Sequence, residues 1–256
     1  MAFAASYNGR MCILHQTLTS KQKGQRMKRF ITLLLALGIL TVASNAAFAQ
    51  LTDEMKKDGW VAIFDGKTLD GWKTNAAPGE KFGNFKVEDG TIVGFGNMNH
   101  LYYMEELGNF ELKIDVKINK GGNSGVYVKS QWQDDTWPTT GFELQVNSSH
   151  GDPVKTGSLY NIIKIYKAPH GDDEWFTYHL ICKGNTLDVR VNDVLLYTYV
   201  QPAGGGRRPQ GQQRPEQPAI TEQNKQIGQR GYIALQQHDP GSKPSFKNIF
   251  VKKLPD

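Results

Sequence analysis

The chain has 256 residues, of which 39% are hydrophobic and 11% aromatic, with five Trp. That excludes a disordered or collagen-like polypeptide and leaves room for one large domain or two small ones. The formal net charge of +5 is local: Arg10, Lys21, Lys23, Arg26, Lys28 and Arg29 fall within the first 49 residues, which carry no acid. That leaves 24 of the 30 bases against 25 acids, so the rest of the chain is near neutral and gives no case for nucleic-acid binding.

The N-terminal stretch reads as an address. From Met27 the chain runs MKRFITLLLALGILTVASNAAFAQ. Lys28 and Arg29 form a positive start, Ile31 to Val42 is mostly apolar, and Ala47-Phe48-Ala49 is a small-residue cleavage site. This predicts a signal peptide over residues 27–49, cleaved after Ala49, and a periplasmic or secreted product. The apolar run is short of the ~20 residues a membrane span needs, so no stable membrane anchor is expected after cleavage. Met1 to Arg26 has no globular pattern and reads as an upstream extension of the gene. Cys12 leaves with the leader, and Cys182 then has no intrachain partner for a disulfide.

Residues 50–256 read as one all-β domain. Thr52 to Asp58 is the best short helix. Phe110, Leu112, Ile114, Val116 and Ile118 alternate with polar residues, which predicts a strand with one buried face. Val126 to Lys129 and Phe142 to Asn147 alternate too. Thr177 to Cys182 and Leu187 to Asn192 form a hairpin around Lys183-Gly184-Asn185, and Asn192-Asp193 turns the chain into Val194 to Val200. Tyr232 to Gln236 and Phe246 to Lys252 close the domain. Many short strands with frequent glycine turns predict a β-sandwich or jelly roll. Residues 201–229, with the run GGGRRPQGQQRPEQP, read as a low-complexity loop: a solvated insertion, or a lid over a neighbouring site.

Nucleophile-elbow, zinc-protease, P-loop and dinucleotide motifs are absent. Candidate chemistry therefore rests on polar residues presented by strands. Glu143, Gln145 and Asn147 share one face of their strand. An acid and two amides in a row suit sugar hydroxyls, which need donors and acceptors together; a plain solvated face is the alternative. Gln236 and His238 share a face near the C-terminus, and two such strands fit a polar cleft better than a solvent face. Asn123 lies in the glycine-rich entry Gly121-Gly122-Asn123-Ser124-Gly125, and Tyr127 and Lys129 alternate against Val126 and Val128, which points Lys129 toward the same cleft. Trp132 and Trp137 could stack on a sugar ring or cap the core edge. His150, Asp152 and Tyr160 are candidate rim residues.

Several segments carry a resemblance. GWVAIFDGKTLDGW at 59–72, GGNSGVYVKS at 121–130, GFELQV at 141–146, TGSLYN at 156–161 and GYIALQQHDPGSKPSFKNIFVKKL at 231–254 occur in the order seen in the 3-keto-disaccharide hydrolase family, which the sequence resembles over Gly59 to Leu254. Lys129 stands where that family often has Arg. The resemblance implies a concanavalin A-like jelly-roll β-sandwich of two antiparallel sheets with a polar concave face, an exported bacterial protein, and hydrolysis of glycosides oxidised at C3.

Such chemistry suits a cleft with a single evident carboxylate. A ketone at C3 acidifies the C2 proton, a base removes it, the C1 aglycone leaves by β-elimination, and water adds back. One base, one proton donor and an enolate stabiliser suffice, without the facing carboxylates of ordinary glycosidases. Glu143 or His238 is expected as base and the other as acid, with Gln145, Gln236, Asn123 and Lys129 holding hydroxyls or the enolate. No cofactor is certain from the sequence. A divalent metal held by Glu143 and His238 could polarise the ketone instead. Other readings are a non-catalytic carbohydrate-binding module using the same cleft and a scaffold domain of the cell envelope.

Overall fold

The computed structural model describes residues 51–202 and 230–256. The leader, its cleavage site and nearly all of the low-complexity loop with its lid reading lie outside the described residues. Thr52 caps a short helix, α1 (Asp53–Lys57), the one helix among the described residues, through its side chain, which accepts from the Met55 amide at 3.2 Å. The strands follow as β1 (Trp60–Ala62), β2 (Trp72–Thr74), β3 (Asn84–Glu88), β4 (Thr91–Phe95), β5 (Asn99–Leu107), β6 (Phe110–Lys117), β7 (Ser124–Ser130), β8 (Phe142–Val146), β9 (Phe176–Lys183), β10 (Thr186–Val191), β11 (Val194–Val200), β12 (Gly231–Gln237) and β13 (Ser245–Lys253).

They build two antiparallel sheets. The larger runs β11-β10-β9-β6-β13-β4-β3, with β1 also on β13, and the smaller runs β2-β5-β12-β7-β8. The jelly-roll sandwich expected from the short alternating strands is the observed fold. Alternation explains it: in β6, Phe110, Leu112, Ile114 and Val116 are all fully buried while the residues between them are not. They pack with Tyr178, Leu180 and Cys182 of β9 and Leu187, Val189 and Val191 of β10 against Val126, Val128, Phe142, Leu144, Ile233 and Leu235 of the smaller sheet. Each such side chain contributes about 1.5–3 kcal/mol by leaving water. The hairpin at Gly184-Asn185 is as expected, and Asn192 and Asp193 both adopt positive φ, +49° and +63°, as a tight two-residue turn into β11 requires.

Strand order matters more for the site than strand number. The smaller sheet places β5, β12, β7 and β8 side by side, although they are far apart in sequence. Its edge strand β8 does not stay open: the chain returns beside it, so that the Tyr160 amide donates to the Glu143 carbonyl at 2.9 Å and the Gln145 amide to the Ser158 carbonyl at 3.0 Å. Among the described residues no helix is long and apolar enough to cross a membrane.

Candidate active site on the outer face of the smaller sheet

One face of the smaller sheet belongs to the core; the other carries a polar row. Register places Tyr102 beside Ala234, Ala234 beside Tyr127, and Tyr127 beside Glu143, crossing all four strands. One step along, His100 pairs with Gln236, and Gly125 pairs with Gln145. The solvated-face alternative does not hold. His100 is 0% exposed, Gln145 and Gln236 1%, and Tyr127 5%.

Glu143 brings a carboxylate into this row. Gln236 Nε2 donates to its Oε1 at 3.1 Å and to the Tyr127 hydroxyl at 3.1 Å. Glycine at position 125 makes that reach possible, because a Cβ there would lie 2.5 Å from the Glu143 Oε1. Burial, the Glu143 charge and a hydrogen bond to that carboxylate push the Tyr127 hydroxyl well above the ordinary tyrosine range, so it stays protonated and available as a donor. Tyr160 stands beside the same carboxylate. Burial first, then the Asp152 and Glu143 charges, raise its hydroxyl as well.

Gln145 Nε2 donates to the Asn123 Oδ1 at 2.8 Å, joining two of the expected residues. The Asn123 backbone is itself held by the Ser242 hydroxyl at 2.9 Å. His238 lies just past the end of β12, the strand that carries Gln236. Its Nδ1 meets the Asp239 Oδ2 at 2.8 Å, so the ionised carboxylate accepts a hydrogen bond from Nδ1 and leaves Nε2 as the second working nitrogen. Burial works against ionisation of Asp239, but hydrogen bonds from His238, Ser242 and Gly241 outweigh it and hold the carboxyl below its usual range. Trp137 lies edge-on between His100 and His238, at ring separations of 5.5 and 5.1 Å, and His150 comes within 5.9 Å of His238. Trp132 packs on Tyr102 at 5.1 Å, at the far end of the row, with the Lys73 ammonium 4.7 Å above it.

Two expectations need correction. Lys129 does not face this row. Its φ is +59°, and the β7–β12 register slips beside it, which turns the side chain off the alternation. Its ammonium donates to the Gly108 carbonyl and lies over the Phe110 ring, at the core edge. Asn147 falls just past the end of β8 and organises the following loop, donating to the Asp152 and Val154 carbonyls and accepting from the His150 amide. It is not a third member of the polar row.

His100, Tyr102, Tyr127 and Asp239 belong to the site and do not stand out in the sequence as site residues. The signal for the first two was present: His100 and Tyr102 alternate with Leu101 and Tyr103, but two adjacent tyrosines blur the period of two. Three of the row's side chains carry buried polar atoms without a protein partner, namely both ring nitrogens of His100 and the Oε1 atoms of Gln145 and Gln236. Native structures rarely leave such groups without a protein or water partner. For a metal, Glu143 and His238 are each already engaged, and among the described residues no group of three or more His, Cys, Asp or Glu side chains is placed to hold one.

Burial, and then the neighbouring His238, lower the His100 pKa to about 3, so its imidazole is neutral at working pH. The folded value lies below that of the unfolded chain, so the associated stability is complete above about pH 6.5 and lost progressively as pH falls toward 3. Wild type should therefore lose on the order of 2 kcal/mol between pH 7.5 and 5 from this group, a loss that His100→Phe removes. Urea denaturation at the two pH values measures it, and parallel acid limbs would contradict it.

The sequence model of the 3-keto-alpha-glucoside-1,2-lyase-like domain family matches residues 59–252. The chain belongs to that family. A 3-keto-disaccharide hydrolase of Bacteroides thetaiotaomicron is 34% identical over 86 residues, covering 29% of this chain and 28% of the relative. The matched stretch thus spans little more than a quarter of that relative's length. A Parabacteroides distasonis protein, provisionally named a glycosyl hydrolase, superposes with a TM-score of 0.65 at 28% identity, over 80% of this chain and 98% of its own. A second structure from that organism, with the same provisional name, gives 0.58 at 23% identity over 76% of this chain and 99% of its own, which speaks to the fold. Family membership and the likeness to the first of these structures support a carbohydrate-active, 3-keto-disaccharide hydrolase-like protein.

Proposed function

We propose that the chain is an exported enzyme that cleaves 3-keto glycosides by base-promoted β-elimination followed by hydration. The observation that carries this reading is the Glu143 carboxylate, set over Gly125 and held by Gln236 within a buried row of hydrogen-bonding side chains. Its export rests on the leader Met27 to Ala49.

Glu143 takes the C2 proton, activated by the C3 ketone, and the electron pair moves onto the ketone oxygen as an enolate. Collapse of the enolate breaks the bond from C1 to the aglycone oxygen, which receives a proton, and leaves a C1–C2 double bond. Water then adds across it, with hydroxyl at C1 and hydrogen at C2. His238, held through Nδ1 by Asp239, is the proton donor to the leaving oxygen. Gln236, Gln145 and the Tyr127 hydroxyl hold ring hydroxyls or the enolate, and their fixed dipoles act without reorganisation. Trp132 and Trp137 wall the two ends of the row with aromatic surface suited to a sugar ring.

Turnover of a chromogenic glucoside and of its 3-keto form by the purified chain tests the reading. Release from the keto sugar alone, lost in Glu143→Gln, supports it. Binding of both sugars without release makes the chain a carbohydrate-binding module instead. A second check lies in Gly125→Ala. The new methyl must push the carboxylate off Gln236, and turnover should fall about 10²-fold while the melting temperature changes little, since a displacement near 1 Å has that effect on a reacting group. Unchanged turnover would place the working carboxylate elsewhere.

A further inference from the structure

We propose that His100 contacts the sugar directly and that the Trp137 ring is the movable cover over it; this rests on the sugar-cleaving reading above. The His100 side chain stands in the row beside Gln236, yet neither ring nitrogen has a partner, although the residue is fully buried. Leaving two buried imidazole nitrogens unpaired is costly, and packing does not require it, because a phenyl ring would fill the same space. A neutral imidazole offers one donor and one acceptor. That pairing matches a ring hydroxyl, or a hydroxyl and a neighbouring ketone.

Something must move for a sugar to reach it. The rings flanking His100 are Tyr127 at 5.4 Å and Trp137 at 5.5 Å. Tyr127 is 5% exposed and fixed in β7, whereas Trp137 is 40% exposed and lies in the connection between β7 and β8. The backbone of that connection is pinned: Asn75 Nδ2 donates to the Gln133 and Thr136 carbonyls, and Gln133 is bonded to Thr139. The indole therefore rotates about its own side-chain bonds, and its edge-on contacts with His100 and His238 give way to sugar oxygens and a stacking face.

The test uses the full chain with ¹⁵N-labelled histidine, plus the His100→Phe, His100→Gln and Trp137→Ala variants. Addition of methyl 3-keto-glucoside should shift one pair of ring ¹⁵N signals, assigned to His100 by their absence in His100→Phe. Turnover of the chromogenic keto glucoside should fall roughly 30-fold in His100→Phe, the loss expected for one hydrogen bond to the ligand, and recover in part in His100→Gln, whose amide again supplies a donor and an acceptor. His100 should react with diethyl pyrocarbonate faster in Trp137→Ala than in wild type, and the sugar should protect it. Turnover within twofold of wild type in His100→Phe, with unmoved ring signals, overturns the contact, and an equal carbethoxylation rate overturns the cover. If wild type releases no aglycone but the His100 signals shift with sugar, the cleavage reading fails and the contact stands. If the sugar causes neither release nor shift, both fall.

Discussion

Glu143→Gln is expected to lower aglycone release from a 3-keto glucoside by at least about 10³-fold while leaving sugar affinity close to wild type. The substitution is conservative in space. A glutamine Oε1 can still accept from Gln236 Nε2 and from the Tyr127 hydroxyl, and it fits the slot over Gly125 that the carboxylate fills. Only the capacity to take a proton is removed. A base abstracting the C2 proton acts in the transition state, so the loss should appear in kcat with KM little changed. Single-turnover release together with a sugar titration separates the two. Residual turnover above about one tenth of wild type would assign the proton to His238 or solvent. A rise in KM at constant kcat would make Glu143 a hydroxyl acceptor, as a binding module would use it.

Tyr178→Phe is expected to destabilise the fold by about 2 kcal/mol, a drop on the order of 6 °C in Tm. Tyr178 belongs to β9 of the larger sheet, but its hydroxyl crosses the core. It donates to the Gln145 carbonyl of β8 and accepts from the Gly157 amide at 2.7 Å. Phenylalanine keeps the packing and leaves the Gly157 amide and the Gln145 carbonyl with only their long bond to each other, 3.4 Å, where an unpaired buried group would cost about 1–3 kcal/mol. The link ties the larger sheet to the strand that carries Glu143 and Gln145, so turnover should weaken together with stability. Tyr197, whose hydroxyl donates to the Gly157 carbonyl from a partly buried position, is the control, and its Phe variant should cost less. Equal urea midpoints for Tyr178→Phe and wild type would show that the hydroxyl does not join the sheets.

Much of this architecture is written in local alternation. β6 reads directly because each apolar residue is separated by one polar residue and every one of the former is buried. The hairpin from β9 to β10 and the turn at Asn192-Asp193 read because their turn residues tolerate positive φ where few others do. Glu143, Gln145 and Gln236 are legible for the same reason: polar residues alternating with a buried apolar set must share the other face. The short strands β1 and β2 fall below the length at which alternation can be seen, and in β5 the adjacent Tyr102 and Tyr103 hide it.

By itself, then, the sequence determined the all-β class, the strands with clean alternation, and the side of β8 and β12 that carries polar chemistry. Each is a consequence of a period of two acting within a few residues. The tertiary structure alone decided which strands lie side by side. The order β5-β12-β7-β8 brings His100, Gln236, Tyr127 and Glu143 together from positions spread across the chain, a pairing that no local pattern encodes. It also decided the fate of Lys129. A register slip against β12 and a positive φ at that residue turn it to the core edge, and a slip between two strands belongs to the pair and to neither sequence segment alone.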